Sequence, residues 1–387
     1  MSLTIQKMID TICLLIPKSS VINLESANQD IDNWELQQGT DKYNKYVKNP
    51  SKNNLETGNY FPRLTCYGKW FNQDATVRIE FSIPKLVYLN NLYELENIDF
   101  PDVVDILQKR LKEMGVIISK NNLENATVST VHFSKNILLK NGYSTSYLIS
   151  EINKVNLRKS FDFTRVKYTN DGQSLYAHTA SHELIIYDKI ADIQRSQKRA
   201  IDKDQTPFQK NILYGVKRNQ LPEVIRFEVR LGRKQKMNSV LEGLGYAKNP
   251  TFKDIFSSEI SQKVLNHYWQ KIIRERNLGI FSLSLSNKDI LQTIFTAQPN
   301  IKPKLAVYLV GLFALGKDEA GLRELRSVLC KKFTDRTWYR IVKDLQFVSK
   351  IISKNNIRDW VIQIDKGLAD FKAYKQVKSY PHKEIVV

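Results

Sequence analysis

Two segments of this chain alternate apolar and polar residues with a period of two, which demands a sheet in the N-terminal part. In Thr76 to Pro84 (TVRIEFSIP), Val77, Ile79, Phe81 and Ile83 alternate with Thr76, Arg78, Glu80 and Ser82. In Ile225 to Leu231 (IRFEVRL), Ile225, Phe227, Val229 and Leu231 alternate with Arg226, Glu228 and Arg230. Successive side chains of a strand point to opposite faces, so each segment predicts a strand with one apolar and one polar face. Residues 4–16 predict an earlier strand ended by Pro17, and the β-branched run Asn125 to Ser134 predicts another. Asp171-Gly172 suits a tight hairpin turn, and the strand after it runs towards Tyr187.

Helical spacing appears in Phe100 to Val116, stopped at Gly115, in Thr145 to Lys159, and in KIADIQRSQKRA after Asp188. The forty residues after Pro17 are rich in Asn, Lys and Gly and predict an extended loop with short pieces of structure. From about Val240 the pattern is almost wholly helical. The expected fold is therefore α+β: an antiparallel-sheet domain over 1–235, then a mostly α-helical domain over 236–387, with the boundary near 232–240. The longest apolar stretch, Leu305 to Gly316, is 12 residues, short of the roughly 20 a membrane span needs, and predicts a buried helix. The N-terminal ICLLIP is too brief for a signal sequence.

Lys and Arg number 59 against 40 Asp and Glu, a net charge of +19. Such a field favours a polyanionic partner, nucleic acid above all, or else serves only solvation. Cys13, Cys66 and Cys330 are odd in number and lack CxxC spacing, which argues against a disulfide framework and a zinc site and fits a reducing cytoplasm. Gly243 to Pro250 has the wrong spacing for a Walker A loop, which argues against an ATPase.

Three groups of residues carry candidate chemistry. The polar face of Ile225 to Leu231 reads either as a solvated face with cross-strand ion pairs or as a carboxylate, Glu228, that holds a divalent ion while Arg226 and Arg230 grip phosphate. Glu80 is a second candidate carboxylate. Tyr187 closes an apolar strand and is followed closely by Lys189. Its phenol, with an ordinary pKa near 10, either packs or acts as a nucleophile helped by a metal or by Lys189. No His-x-His pair is present; His178 and His182 would share a face as polar surface residues. Finally, residues 318–350 resemble a helix-turn-helix. Arg336, Arg340 and Lys343 lie opposite Trp338, Ile341, Val342 and Leu345 on its second helix, as a DNA-contacting face or a solvated one.

Taken in order, these segments resemble the gene II replication initiators of filamentous bacteriophages and related phage and plasmid proteins. Met8 to Pro17 resembles the family's opening strand, and Ile79 to Leu92 its strand with a Ser-x-Pro-Lys turn. Ser181 to Gln194 resembles the nucleophile segment, Val224 to Met237 the Arg-Phe-Glu-x-Arg block, and Asp335 to Leu345 a late aromatic-rich helix. His132 stands where relatives often carry Asp. The resemblance implies a Rep-like nickase domain that breaks one DNA strand at an origin through a 5′-phosphotyrosine and later rejoins it. Tyr187 would be the nucleophile, Glu228 the active-site carboxylate, Arg226, Arg230 and Lys189 its neighbours, and Glu228, His132 and Glu80 ligands for Mg2+ or Mn2+. Expected partners are double-stranded origin DNA, single-stranded DNA, and host helicase and polymerase, in the host cytoplasm and without a membrane. The alternative is a non-catalytic, sequence-specific DNA-binding regulator. An integrase-type recombinase fits less well, because its tyrosine ends a helical domain, whereas Tyr187 lies on a mid-chain strand.

Overall fold

A computed structural model describes residues 6–23, 35–37, 45–67, 75–96, 98–155, 166–169, 172–196, 206–214, 216–274, 281, 285–318, 321–353 and 357–375. Its frame is one antiparallel sheet of ten strands. In chain order these are β1 (Ile9–Pro17), β2 (Glu35–Gln37), β3 (Lys45–Lys48), β4 (Arg63–Tyr67), β5 (Thr76–Ser82), β6 (Thr127–Leu138), β7 (Val166–Thr169), β8 (Ser174–His178), β9 (His182–Asp188) and β10 (Val224–Leu231). In space the order is β7-β8-β9-β10-β6-β1-β5-β4-β3-β2. The α+β class is thus as expected.

The alternating segments behave as their period dictates. Val77, Ile79 and Phe81 on β5, and Ile225, Phe227, Val229 and Leu231 on β10, are buried on the apolar side. Ile83 instead opens helix α1 (Ile83–Tyr88), because Ser82 caps it and Pro84 sits in its first turn. The Ser-x-Pro-Lys turn is therefore a strand-to-helix junction. Gly172, at the hairpin between β7 and β8, has φ +82°, where a side chain would be strained; Asp171 lies outside the described residues.

The further helices are α2 (Phe100–Glu113), α3 (Thr145–Asn153), α4 (Lys189–Ser196), α5 (Lys234–Gly243), α6 (Ser258–Asn266), α7 (Asn287–Ala297), α8 (Pro303–Lys317), α9 (Gly321–Cys330), α10 (Asp335–Ser353) and α11 (Asp359–Asp370). Helix α3 stops at Asn153, with Lys154 as its C-cap, short of the expected Lys159; the expected extension of α4 to Ala200 runs beyond the described residues. A π-helical turn, His267–Arg274, continues α6.

Residues on both sides of position 235 share one hydrophobic core. Helices α5, α6 and α11 pack on β6, and α3 packs on β8 and β9. Trp269 meets Phe227 of β10 edge-on at 5.8 Å between ring centroids and reaches Trp360 of α11 through Phe281. The expected boundary therefore falls within a common interior. A smaller cluster of Ile290, Ile294, Ala306, Leu309, Val310, Phe313, Val348 and Ile352 joins α7, α8 and α10. Helix α8 is not wholly buried as expected. It buries Ala306, Leu309 and Phe313 but leaves Leu305, Val307, Tyr308 and Leu315 exposed. Among the described residues, no helix is long and apolar enough to cross a membrane. The three cysteines are free.

Candidate functional site

Strand register assembles the site. Across β10, Tyr187 of β9 and Asn136 of β6 oppose Arg226, Ser134 opposes Glu228, and Glu183 and His132 oppose Arg230. Directly opposed residues of an antiparallel pair lie on the same face, so these side chains form one polar field. Tyr187 Oη donates to Glu228 Oε2 at 3.2 Å. Arg230 Nε donates to Glu228 Oε1 at 2.7 Å, and His132 Nδ1 lies 3.8 Å from that same oxygen. Tyr187, Glu228 and His132 thus lie together, but of the three only His132 lines the adjoining cleft.

At Arg226 and Glu228 this polar face is not solvated, whereas Arg230 is 35% exposed, so the solvated-face reading holds only at that end. The Arg226 and Glu228 side chains are each 1% exposed. The segment after α1 lies against them: Asn91 O accepts from Arg226 Nη1 at 2.8 Å, and Leu92 O accepts from Asn136 Nδ2 at 2.8 Å. A buried charge persists only where it is paired and hydrogen-bonded. Arg226 meets that condition through Asp10 Oδ1 at 3.1 Å, Glu228 Oε2 at 3.6 Å and Ser134 Oγ at 2.7 Å.

Asp10 is the functional candidate that sequence reasoning missed. Its position comes from a β-bulge. His132 pairs with Thr11 and Phe133 with Ile9, so Asp10 is the extra residue between two consecutive pairs. Without the bulge Asp10 would share the apolar face with Ile12; with it, the carboxylate turns towards Arg226. The signal that was available is the acid itself, a lone charge inside the apolar run MIDTICLLIP.

The cluster displaces proton affinities in directions that follow from its charges. Burial pushes the Asp10 carboxyl up, but Arg226, with Lys189 and Lys85 behind it, holds it at about 2. Burial likewise raises Glu228, and Arg230 and Arg226 more than offset it, leaving the carboxyl below its ordinary range. Burial raises the Tyr187 phenol well above its ordinary value; Arg226 opposes this, while Glu228 adds to it. Lys189 is fully buried and is pushed by that burial down to about 8, against the pull of Asp192. Its Nζ donates to Asn91 Oδ1 at 2.9 Å and lies 5.7 Å from the centre of the Tyr187 ring. Burial lowers His132, with Glu228 opposing, which favours the neutral imidazole.

Beside this cluster opens a polar cleft of about 310 Å³ lined by Asp10, Tyr60, Arg63, Glu80, Lys85, His132 and Arg230, among others. The Nε of Arg63 is buried there without a hydrogen-bond partner among the described residues. Glu80 lines the cleft but pairs with Arg78 at 3.2 Å, apart from Glu228. Among the described residues, no three His, Cys, Asp or Glu side chains are grouped so as to hold a metal ion. Glu228 has both oxygens engaged, by Arg230 and by Tyr187. Asp10, His132 and Glu80 all line the cleft wall, but not as one metal-holding group.

His178 and His182 stand differently from expectation. A turn separates them. His178 ends β8 opposite Glu183, whereas His182 is buried on the apolar side, its Nδ1 2.6 Å from Tyr268 Oη. The helix-turn-helix-like passage forms as α9 and α10, with Arg336, Arg340 and Lys343 exposed and Trp338 and Leu345 buried. Comparison with known protein families, with curated proteins and with solved structures finds no match.

Proposed function

We propose that the protein is a metal-dependent, site-specific DNA nickase and strand-joining enzyme, with a Rep-like sheet domain, that initiates and terminates rolling-circle replication through a 5′-phosphotyrosine. The observation that carries this is the hydrogen bond from Tyr187 Oη to Glu228 Oε2, at 3.2 Å, within a charge cluster adjoining a cleft lined by Arg63, Lys85 and Arg230. The resemblance of the tyrosine and Arg-Phe-Glu-Val-Arg segments to gene II initiators supports the same chemistry.

In this scheme the cleft cations hold the phosphodiester. Tyr187 Oη attacks phosphorus and passes its proton to Glu228; an Oη–P bond forms, the P–O3′ bond breaks, and the 3′ oxygen takes a proton from solvent. Rejoining reverses each step and conserves the bond energy. The phenol lies well above its ordinary pKa, so proton loss accompanies attack rather than preceding it. Arg226 stabilises the developing phenolate, and Lys189, near pKa 8, is a nearby proton-exchanging group. Mg2+ or Mn2+, brought with the DNA phosphate to the cleft wall of Asp10, His132 and Glu80, would neutralise charge there. Arg336, Arg340 and Lys343 would contact DNA outside the cleft.

The test incubates the whole chain with Mg2+ or Mn2+ and randomised single-stranded or supercoiled circular DNA, then looks for a protein–DNA adduct that survives detergent. The adduct should map to Tyr187 and vanish in Tyr187→Phe. An undiminished adduct in that variant removes Tyr187 from the chemistry. DNA binding with no adduct under any metal condition leaves the non-catalytic regulator instead.

A further inference from the structure

We propose that the outer face of α10 is a single-stranded DNA platform, on which bases stack against Phe347 and Phe333 while a row of cations holds the phosphates. At about 100° per residue, Arg336, Tyr339, Arg340, Lys343, Phe347 and Lys350 fall within an arc of roughly 100° on this helix. All six are exposed. The opposite side carries the buried Trp338, Leu345, Val348 and Ile352, so the arc faces away from the protein. The two acids of α10 lie off it and are engaged elsewhere, Asp335 by Arg326 at 3.0 Å and Asp344 by Tyr308 at 3.2 Å.

Cations alone would suit any polyanion. What narrows the partner is the pair of exposed phenyl rings, Phe347 at 42% in the middle of the row and Phe333 at 55% in the turn before it. A single exposed apolar residue needs no explanation, but a ring inside a stripe of four cations does. A duplex offers this face phosphates, sugars and base edges, but its base faces stay stacked inside. A single strand offers base faces as well, and base–aromatic stacking tolerates any sequence. From Arg336 to Lys350 the row spans about 21 Å of helix, enough to follow several nucleotides. A net charge of +19 supplies the long-range attraction. The platform is independent of the Tyr187 chemistry, though a displaced strand is the product such an enzyme would have to hold.

Fluorescence anisotropy of the full chain with a labelled oligothymidine and with a hairpin duplex tests this. Phe347→Ala should weaken oligothymidine binding about tenfold, the worth of one stacked base, and leave duplex binding unchanged; Phe347→Trp should retain affinity. Arg340→Gln should weaken both DNAs and lower the salt slope for the single strand by about 0.7. Phe347 is exposed, so an unchanged far-ultraviolet circular dichroism spectrum and melting temperature will show that the variants fold. The proposal is overturned if Phe347→Ala binds oligothymidine as the unmodified chain does, or loses duplex affinity equally. It is also overturned if labelled polyglutamate binds as tightly and shows the same dependence on Phe347, for the face would then fit an acidic protein.

Discussion

Replacing Arg226 by Met would test whether the buried charges of the site depend on one another. The guanidinium lies 3.1 Å from Asp10 and 3.6 Å from Glu228. At an effective dielectric constant of about 20, Coulomb's law gives roughly 5 kcal/mol for each contact. Most of that offsets the cost of taking three charges out of water. The loss on truncation is set instead by what remains: two buried carboxylates without their common cation, and Asn91 O and Ser134 Oγ without a donor. Breaking a buried pair from one side costs about 3–5 kcal/mol, and we expect Arg226→Met to lose stability in that range. Guanidinium chloride unfolding followed by the fluorescence of buried Trp269, Trp338 and Trp360 measures it. Adding Asp10→Asn should return part of the loss, a coupling of about 0.5–3 kcal/mol. A loss below about 1 kcal/mol, or strict additivity in the double variant, would refute the interdependence.

Asp10 itself predicts a pH dependence. Its folded pKa is about 2 against about 3.9 unfolded, a difference worth about 2–3 kcal/mol. A depressed carboxyl stabilises the fold above the unfolded pKa and loses that contribution as pH falls through the folded one. The stability gap between the unmodified chain and Asp10→Asn should therefore shrink between about pH 4 and pH 2, and a gap constant over that window would contradict the pairing with Arg226. Trp269→Ala should cost about 3–5 kcal/mol and raise hydrogen exchange in β6 and α11 together, because both line the core that Trp269 fills; exchange rising in α11 alone would show separate cores.

The strands were legible where a polar face alternated with an apolar one, as on β5 and β10. They were cut short where polar residues are buried. The expected strand from Asn125 ended at Ser134, yet β6 runs to Leu138. Lys135 and Asn136 break the apolar pattern, but Lys135 pairs with Glu94 at 2.6 Å and Asn136 reaches Leu92 O. Their partners lie about forty residues away in sequence, so no local window contains the reason for their burial. The helical half was legible as helix but not as a lid on the sheet. Amphipathic spacing gives the buried stripe of α6 or α11 without saying which surface covers it.

The site shows the same limit more sharply. Alternation placed Arg226, Glu228 and Arg230 on one face, and the family resemblance paired the tyrosine segment with them. What alternation cannot express is that a polar face may be dry. Whether a row of charges is solvated or buried depends on Asn91, Lys189 and Asp10, which arrive from three other parts of the chain, one of them turned inward only by a one-residue bulge. Burial then decides the chemistry. On a wet strand Tyr187 would keep an ordinary phenol and Lys189 an ordinary amine. In this interior the phenol rises and the amine falls to about 8, which keeps the proton on the resting phenol and makes Lys189 a readier proton donor than an ordinary amine. The property that makes the cluster a candidate for catalysis is therefore the one that a period-two pattern leaves out.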